Sequence, residues 1–361
     1  MFLRIYIVVF CFALLSCSKD GEEDTYIPIP EPTPVKAVYD PTPLAFTIPG
    51  NFPEATYDIS TNPPTEAGFA LGKRLFYEGK LSSTGVISCG ECHRQEFAFT
   101  HHTHIVSHGV NGALGTRNSP PVQNMAFMTA FNWDGAATHL DMQPIIPITA
   151  EVEMNETFTN ILQKLEEDPV YPDLFTKAFE NGKIDTKNML KALSQFMLLM
   201  ISADSKYDKF ERNEGGITLN DQEEAGRILF EAKCASCHSG SLFTDQSYRN
   251  NGLPIDPEYN DLGRALVSGK TEDERKFRVP TLRNVELTLP YMHDGRFGTL
   301  EQVLDFYSSG VTDSPTLDPI LKQENGTLGI PLDATEKAQL LAFLKTLSDN
   351  DFAQDRRFAE F

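Results

Sequence analysis

Apolar residues in this chain recur mainly at helical spacing. Met189, Leu190, Leu193, Phe196, Met197 and Met200 fall at intervals of three and four behind Asp185, a good N-cap, and predict a helix from Thr186 to about Ser202. The same reading predicts helices over Phe158–Glu166, ending before Pro169, and over Thr335–Leu347. Two further segments share a pattern. Glu66–Phe76 contains Gly72-x-x-Leu75-Phe76, and Asn220–Phe230 contains Gly226-x-x-Leu229-Phe230, with Asn220 and Glu223 spaced as a helix cap and its acidic partner. The register suggests two domains of common design, with a seam near Ser205–Gly216 where charges and a glycine pair interrupt the pattern. Alternating strand patterns are sparse, so the expected fold is mostly α, with long loops and little strand.

The amino terminus reads differently. Arg4 precedes an apolar run, Ile5 to Leu15, which is too short to span a bilayer comfortably and fits a signal-peptide core. It ends in Leu14-Leu15-Ser16-Cys17, which resembles a bacterial lipobox, with cleavage before Cys17 and lipidation of its thiol; the alternative is an ordinary signal peptide with Cys17 incidental. The expectation is an exported outer-membrane lipoprotein facing the periplasm or the cell surface. Residues 18–47, rich in proline, threonine and acid, predict an extended tether. Two domains should follow, 48–205 and 206–361. The formal charge of −20 argues against nucleic-acid binding and suits a basic electron-donor protein.

Candidate chemistry comes from the pattern Cys-x-x-Cys-His, which occurs twice, at Cys89–Cys92–His93 and at Cys234–Cys237–His238. Two thiols at this spacing can form thioethers to the vinyl groups of one porphyrin, and the adjacent histidine can ligate its iron. A redox dithiol or half of a zinc site would leave both histidines unexplained. The only other cysteines, Cys11 and Cys17, lie in the targeting segment, so none remains for a disulfide in the body. Two covalent c-type haems, one per domain, would supply much of each core.

With these motifs on the page, the chain resembles the bacterial di-haem cytochrome c peroxidase family, which includes MauG-type enzymes. The resemblance rests on Leu71–Phe76, Leu81–Cys89, Arg117–Pro121, Phe131-Asn-Trp-Asp-Gly135, Val152-Glu-Met-Asn155, Val279–Asn284 and Pro290-Tyr-Met-His-Asp-Gly295, in this order. It implies two cytochrome c-like haem domains, a peroxidatic haem in the first and an electron-transfer haem in the second. The implied reaction is reduction of hydrogen peroxide to water with electrons from a small cytochrome or cupredoxin. MauG-like oxidation of a protein or other substrate is the alternative within the family, and a non-catalytic di-haem electron carrier is the alternative outside it. Many such relatives pair as homodimers.

Further roles follow from the same resemblance. Glu153 matches the family's acid/base at the first iron, and Gln143 and Pro147 match residues shaping that site. Trp133, the only tryptophan, matches an inter-haem relay. His108 resembles a loop histidine that caps the first iron in some members; His101, His102 and His104 lie nearby, with adventitious ligation of zinc or iron as one reading and solvated loop residues as the favoured one. Asn118, with the backbone carbonyls of Arg278 and Pro280, matches a Ca²⁺ site, and His293 is expected near haem propionates. Counting from Thr299 places Tyr307 at the distal ligand position of the second haem, with Met292 as the competing ligand. An anionic tyrosinate would favour higher oxidation states of iron and the MauG-like pattern.

Overall fold

The computed structural model describes residues 37–361; the expected export signal, with Cys17, and residues 18–36 of the expected tether lie outside the described residues. Two crossed helix pairs organise what is described. In the first, Glu66–Phe76 packs on Thr186–Leu198; in the second, Asp221–Lys233 packs on Ala334–Lys345. Glycine permits each crossing. A Cβ on Gly72 would stand 1.9 Å from the Ala192 carbonyl oxygen, and one on Gly226 would stand 2.0 Å from that of Gln339. Only hydrogen fits at either place, which is the physical content of the shared Gly-x-x-Leu-Phe pattern.

Caps set the helix starts. Thr65, Asp185, Asn220 and Asp333 each accept a backbone N–H with their side chains, and Asn220 and Asp333 form reciprocal boxes with Glu223 and Glu336. The 186 helix stops at Leu198, four residues short of the expected end, because Asn124 bonds both the N–H and the carbonyl of Ser202 at 2.9 and 3.1 Å and takes over the chain. Helices outside the expected set include Tyr171–Ala178, where proline near the start suits the first turn, and the short Ile145–Thr149, Lys206–Glu211 and Leu300–Asp305. Among the described residues, strand is confined to one antiparallel pair, Tyr248–Arg249 with Phe277–Arg278.

A second correspondence runs at a fixed interval of 160 residues. Asn124 and Asn284 have φ of 57° and 58°, Gly135 and Gly295 have 69° and 66°, and the bridges Phe131↔Ala137 and Tyr291↔Phe297 coincide. The two halves therefore repeat loops as well as helices.

Apolar residues gather in one large core around the first helix pair and two smaller ones in the second half. Phe352 and Phe358 belong to the first core, so the carboxyl-terminal tail crosses back onto the first half, where Tyr77 Oη donates to the Phe358 carbonyl at 2.7 Å. The expected seam near 205–216 holds a buried anchor. Asp208, in the helix Lys206–Glu211, receives two bonds from the Arg283 guanidinium at 2.7 and 2.8 Å, and the two side chains are 0 and 1 % exposed. Burial alone would raise the Asp208 carboxyl; Arg283 holds it below the ordinary range.

Removing one partner of such a pair strands a buried charge. Asp208→Ala should therefore lower stability by about 3–5 kcal/mol, read as an earlier midpoint in urea unfolding of the haem-loaded protein. A shift near zero would mean that the pair is replaceable.

Candidate functional site

Both Cys-x-x-Cys-His motifs are presented in the same way. Cys89–Cys92 forms a single helical turn that His93 ends, its N–H donating to the Cys89 carbonyl at 2.9 Å. Cys234 caps the Asp221–Lys233 helix, and the His238 N–H donates to its carbonyl at 3.1 Å. Each imidazole is then oriented from behind. His93 Nδ1 meets the Phe99 carbonyl at 2.9 Å, and His238 Nδ1 meets that of Phe243 at 3.1 Å. Phe99 and Phe243 both adopt left-handed φ, 63° and 52°, which is costly for a bulky residue and turns each carbonyl toward its histidine. A donor bond from Nδ1 leaves Nε2 as the lone-pair nitrogen, the tautomer an iron ligand needs.

Burial pushes the thiols of Cys89 and Cys234 up to about 12 and that of Cys92 up to about 11. A redox dithiol or zinc thiolate requires the opposite shift. None of the four is paired in a disulfide.

Each motif opens on a large, mainly apolar cavity, about 630 Å³ for the first and about 650 Å³ for the second. These volumes lie in the range of cofactor sites. With a thiol pair and a correctly turned imidazole on one wall, both cavities fit a covalently held haem.

The first cavity gathers Gln143, Pro147, Glu153 and His108 with His93. Glu153 Oε1 accepts from Ser107 Oγ at 3.3 Å, and Gln143 Nε2 donates to Asn132 Oδ1 at 3.3 Å. Burial raises the Glu153 carboxyl above its ordinary range, and the Ser107 hydroxyl only partly opposes this. The loop behind it is tight: a Cβ on Gly109 would lie 2.6 Å from Glu153 Cα.

The second cavity holds His238, Tyr307 and Met292 together. Tyr307 stands in a π-helical turn, Phe306–Gly310, continuing the helix Leu300–Asp305. Such turns are rare and occur often at functional sites. Asn251 Nδ2 donates to Tyr307 Oη at 3.4 Å and approaches Met292 Sδ at 3.6 Å. Burial pushes the Tyr307 hydroxyl up to about 12, against the Asn251 bond. By the 160-residue correspondence Tyr307 occupies the place of Pro147 in the first half.

Asn118, Pro121, Trp133, Arg278, Pro280 and Thr281 line both cavities. Trp133 Nε1 donates to the Asn118 carbonyl at 2.8 Å, and the Trp133 carbonyl accepts from Arg278 N at 2.7 Å. Asn118 N donates to the His293 carbonyl at 2.7 Å, and its Nδ2 donates to the carbonyls of His104 and Ile105, both at 3.1 Å. The Pro280 carbonyl also faces the His238 ring. His293 stacks on Phe277 at 3.8 Å, and burial pushes its imidazole down to about 4.

Three features escaped the sequence. The Arg278 guanidinium has no carboxylate partner among the described residues and lines both cavities, which suits haem propionates. Asn251 touches both ligand candidates of the second cavity. The expectation of solvated histidines at 101–104 fails for His101, which is buried at 6 % exposure because the loop folds under His104 and His108. Burial and those neighbours push its imidazole down to about 4.

Comparison with known proteins agrees with this geometry. The family model for di-haem cytochrome c peroxidase matches residues 66–215. Methylamine utilization protein MauG of Methylorubrum extorquens is 35 % identical over 306 residues, covering 82 % of either chain. Cytochrome c551 peroxidase of Pseudomonas aeruginosa is 32 % identical over 304 residues, covering 82 % of this chain and 83 % of that one. The crystal structure of a MauG-like protein associated with microbial copper homeostasis superposes with a TM-score of 0.77 at 32 % identity, covering 88 % of this chain and 99 % of the other. The chain belongs to the di-haem cytochrome c peroxidase and MauG-like family, and is a di-haem peroxidase carrying two c-type haems.

Proposed function

We propose that the first cavity is the peroxide-reducing site and the second the electron-entry site, with Glu153 and Gln143 acting on peroxide. One asymmetry carries this reading: equivalent positions hold Pro147 in the first cavity and Tyr307 in the second. Proline offers no side-chain ligand atom and tyrosine offers one, so a haem held by His93 would find no ligand at Pro147, whereas one held by His238 would find one at Tyr307. His93 would hold the first haem with Cys89 and Cys92, and His238 the second with Cys234 and Cys237. The haems supply an electrophilic iron at the open face and two electron stores.

The chain's own groups manage protons and charge. Glu153, as carboxylate, takes the proton from the near oxygen of peroxide and returns it to the far oxygen, which leaves as water. Gln143 donates a hydrogen bond toward the departing oxygen, and Pro147 keeps the face open. Trp133, which lines both cavities, would offer an aromatic bridge for electrons. Arg278, which lines both cavities, would offset propionate charge there. Asn118 Oδ1, with the carbonyls of Arg278 and Pro280, would hold a Ca²⁺ ion at this wall. His108, on the exposed rim, remains the candidate sixth ligand of the first iron.

Tyr307 gives a second reading some weight. Inside the second cavity, with Asn251 at its hydroxyl, it favours an oxidised second haem and MauG-like oxidation of a protein substrate; Met292, also at Asn251, would favour exchange with a small cytochrome or cupredoxin. Export as a Cys17-lipidated protein to the outer membrane remains our reading of the amino-terminal sequence, and among the described residues no helix is long and apolar enough to cross a membrane.

Replacing Cys89 and Cys92 by serine should leave one covalently bound haem per chain by pyridine haemochrome assay, the second motif loading alone. Glu153→Gln should cut peroxide turnover by about 10²–10⁴-fold with both haems retained. Because burial raises the Glu153 pKa and the carboxylate is the working form, native turnover should fail as pH drops through a value above the ordinary carboxylate range. That acid limb should vanish in the variant. Tyr307→Met should raise the potential of the second haem in a redox titration; an unchanged potential would assign the ligand to Met292.

A further inference from the structure

Beside the first cavity three histidine rings crowd together. The ring centroids of His101 and His104 are 4.1 Å apart, those of His104 and His108 are 4.2 Å apart, and those of His101 and His108 are 5.6 Å apart. Buried imidazole nitrogens normally find a hydrogen-bond partner. Here Nδ1 of His101 and Nδ1 of His104 are both buried and have none. Two orphaned nitrogens within one cluster of rings are ligand atoms without an assigned ligand.

The loop that carries them is held from outside. The Asn118 amide clamps the carbonyls of His104 and Ile105, and the Ile105 backbone packs so closely on Gly295 that a Cβ there would stand 2.1 Å from its oxygen. Thr103 takes a left-handed φ of 67°, which reverses the chain between His101 and His104. Two rings are thus pre-placed, while His108 lies at the exposed rim, where ligation of copper and ligation of the first iron are alternatives.

We propose that His101, His104 and His108 bind one divalent transition-metal ion, Cu²⁺ in preference to Zn²⁺, at the rim of the first cavity. Imidazole nitrogen bonds these ions at about 2.0–2.1 Å, which sets ring centroids about 4.5 Å apart at neighbouring positions of a tetragonal Cu²⁺ centre and about 5 Å apart around a tetrahedral Zn²⁺ centre. The observed spacings bracket both values. Among the described residues no three His, Cys, Asp or Glu groups already converge on a metal position, so closure requires ring rotation, chiefly of His108. The charged groups facing His101 and His108 are other histidines and Arg94. A set of neutral nitrogens without carboxylate disfavours Ca²⁺ and Mg²⁺, and the ordinary affinity order places copper above zinc. His102 stays outside the set, its ring stacked on Phe97 at 3.8 Å.

The test is copper binding by the haem-loaded protein in glycine-buffered Cu²⁺, read by metal analysis and by EPR of the bound copper. The expected result is one copper per chain beyond the two irons, with nitrogen hyperfine structure. In His101→Ala/His104→Ala the affinity should fall by more than the ~10–100-fold typical of losing an outer-shell partner, with the iron count still two. His108→Ala, at an exposed position, should weaken binding without risk to the fold, and His102→Ala should bind as the native protein does. Absence of stoichiometric uptake, or equal uptake by the native protein and the His108→Ala variant, would overturn the proposal.

Discussion

The two haem cavities share a wall, and the rest of the molecule is arranged to keep that wall in place. Six residues face both cavities, three from the 118–133 segment and three from the 278–281 segment. Backbone bonds cross between the segments at Trp133–Arg278 and Asn118–His293, so neither half can move without disturbing the other. The Arg283 guanidinium, held by Asp208, also donates to the Ser202 carbonyl at 3.2 Å, and the tail residues Phe352 and Phe358 pack into the first core, so both tie the second half to the first. For a peroxidase with two haems that exchange electrons, a fixed separation is the central requirement.

Within that frame, function comes from breaking a repeat. Helix crossings, histidine-orienting carbonyls and left-handed turns recur in both halves. Pro147 against Tyr307 and Trp133 against His293 are two of the departures: Pro147 lines the first cavity, Tyr307 and His293 the second, and Trp133 both. A common scaffold supplies the geometry, and a few substitutions at equivalent places divide the labour.

Much of this could be read from the chain. The haem motifs, the helix starts at Asp185 and Asn220 and the paired glycines follow from local rules, since a cap or a close crossing leaves a residue type behind. Glu153, Gln143 and Tyr307 needed the family resemblance, because a carboxylate or a tyrosine has no distinctive spacing of its own. The carbonyls of Phe99 and Phe243 left no trace, since backbone conformation and not side-chain chemistry does their work. Arg278 was noted for its carbonyl, while its guanidinium, long-range in its contacts, went unread. The histidine cluster was misjudged because the burial of His101 depends on Asn118 and Gly295, far along the chain.

The central claim is that the two sites react as one unit across the shared wall. Addition of one equivalent of peroxide, followed by EPR with and without a reduced small c-type cytochrome, tests this most directly. The account predicts that the signals of both haems change together, by two oxidising equivalents in all, and that the cytochrome restores them with turnover. A response confined to the first haem, with the second unchanged, would contradict it.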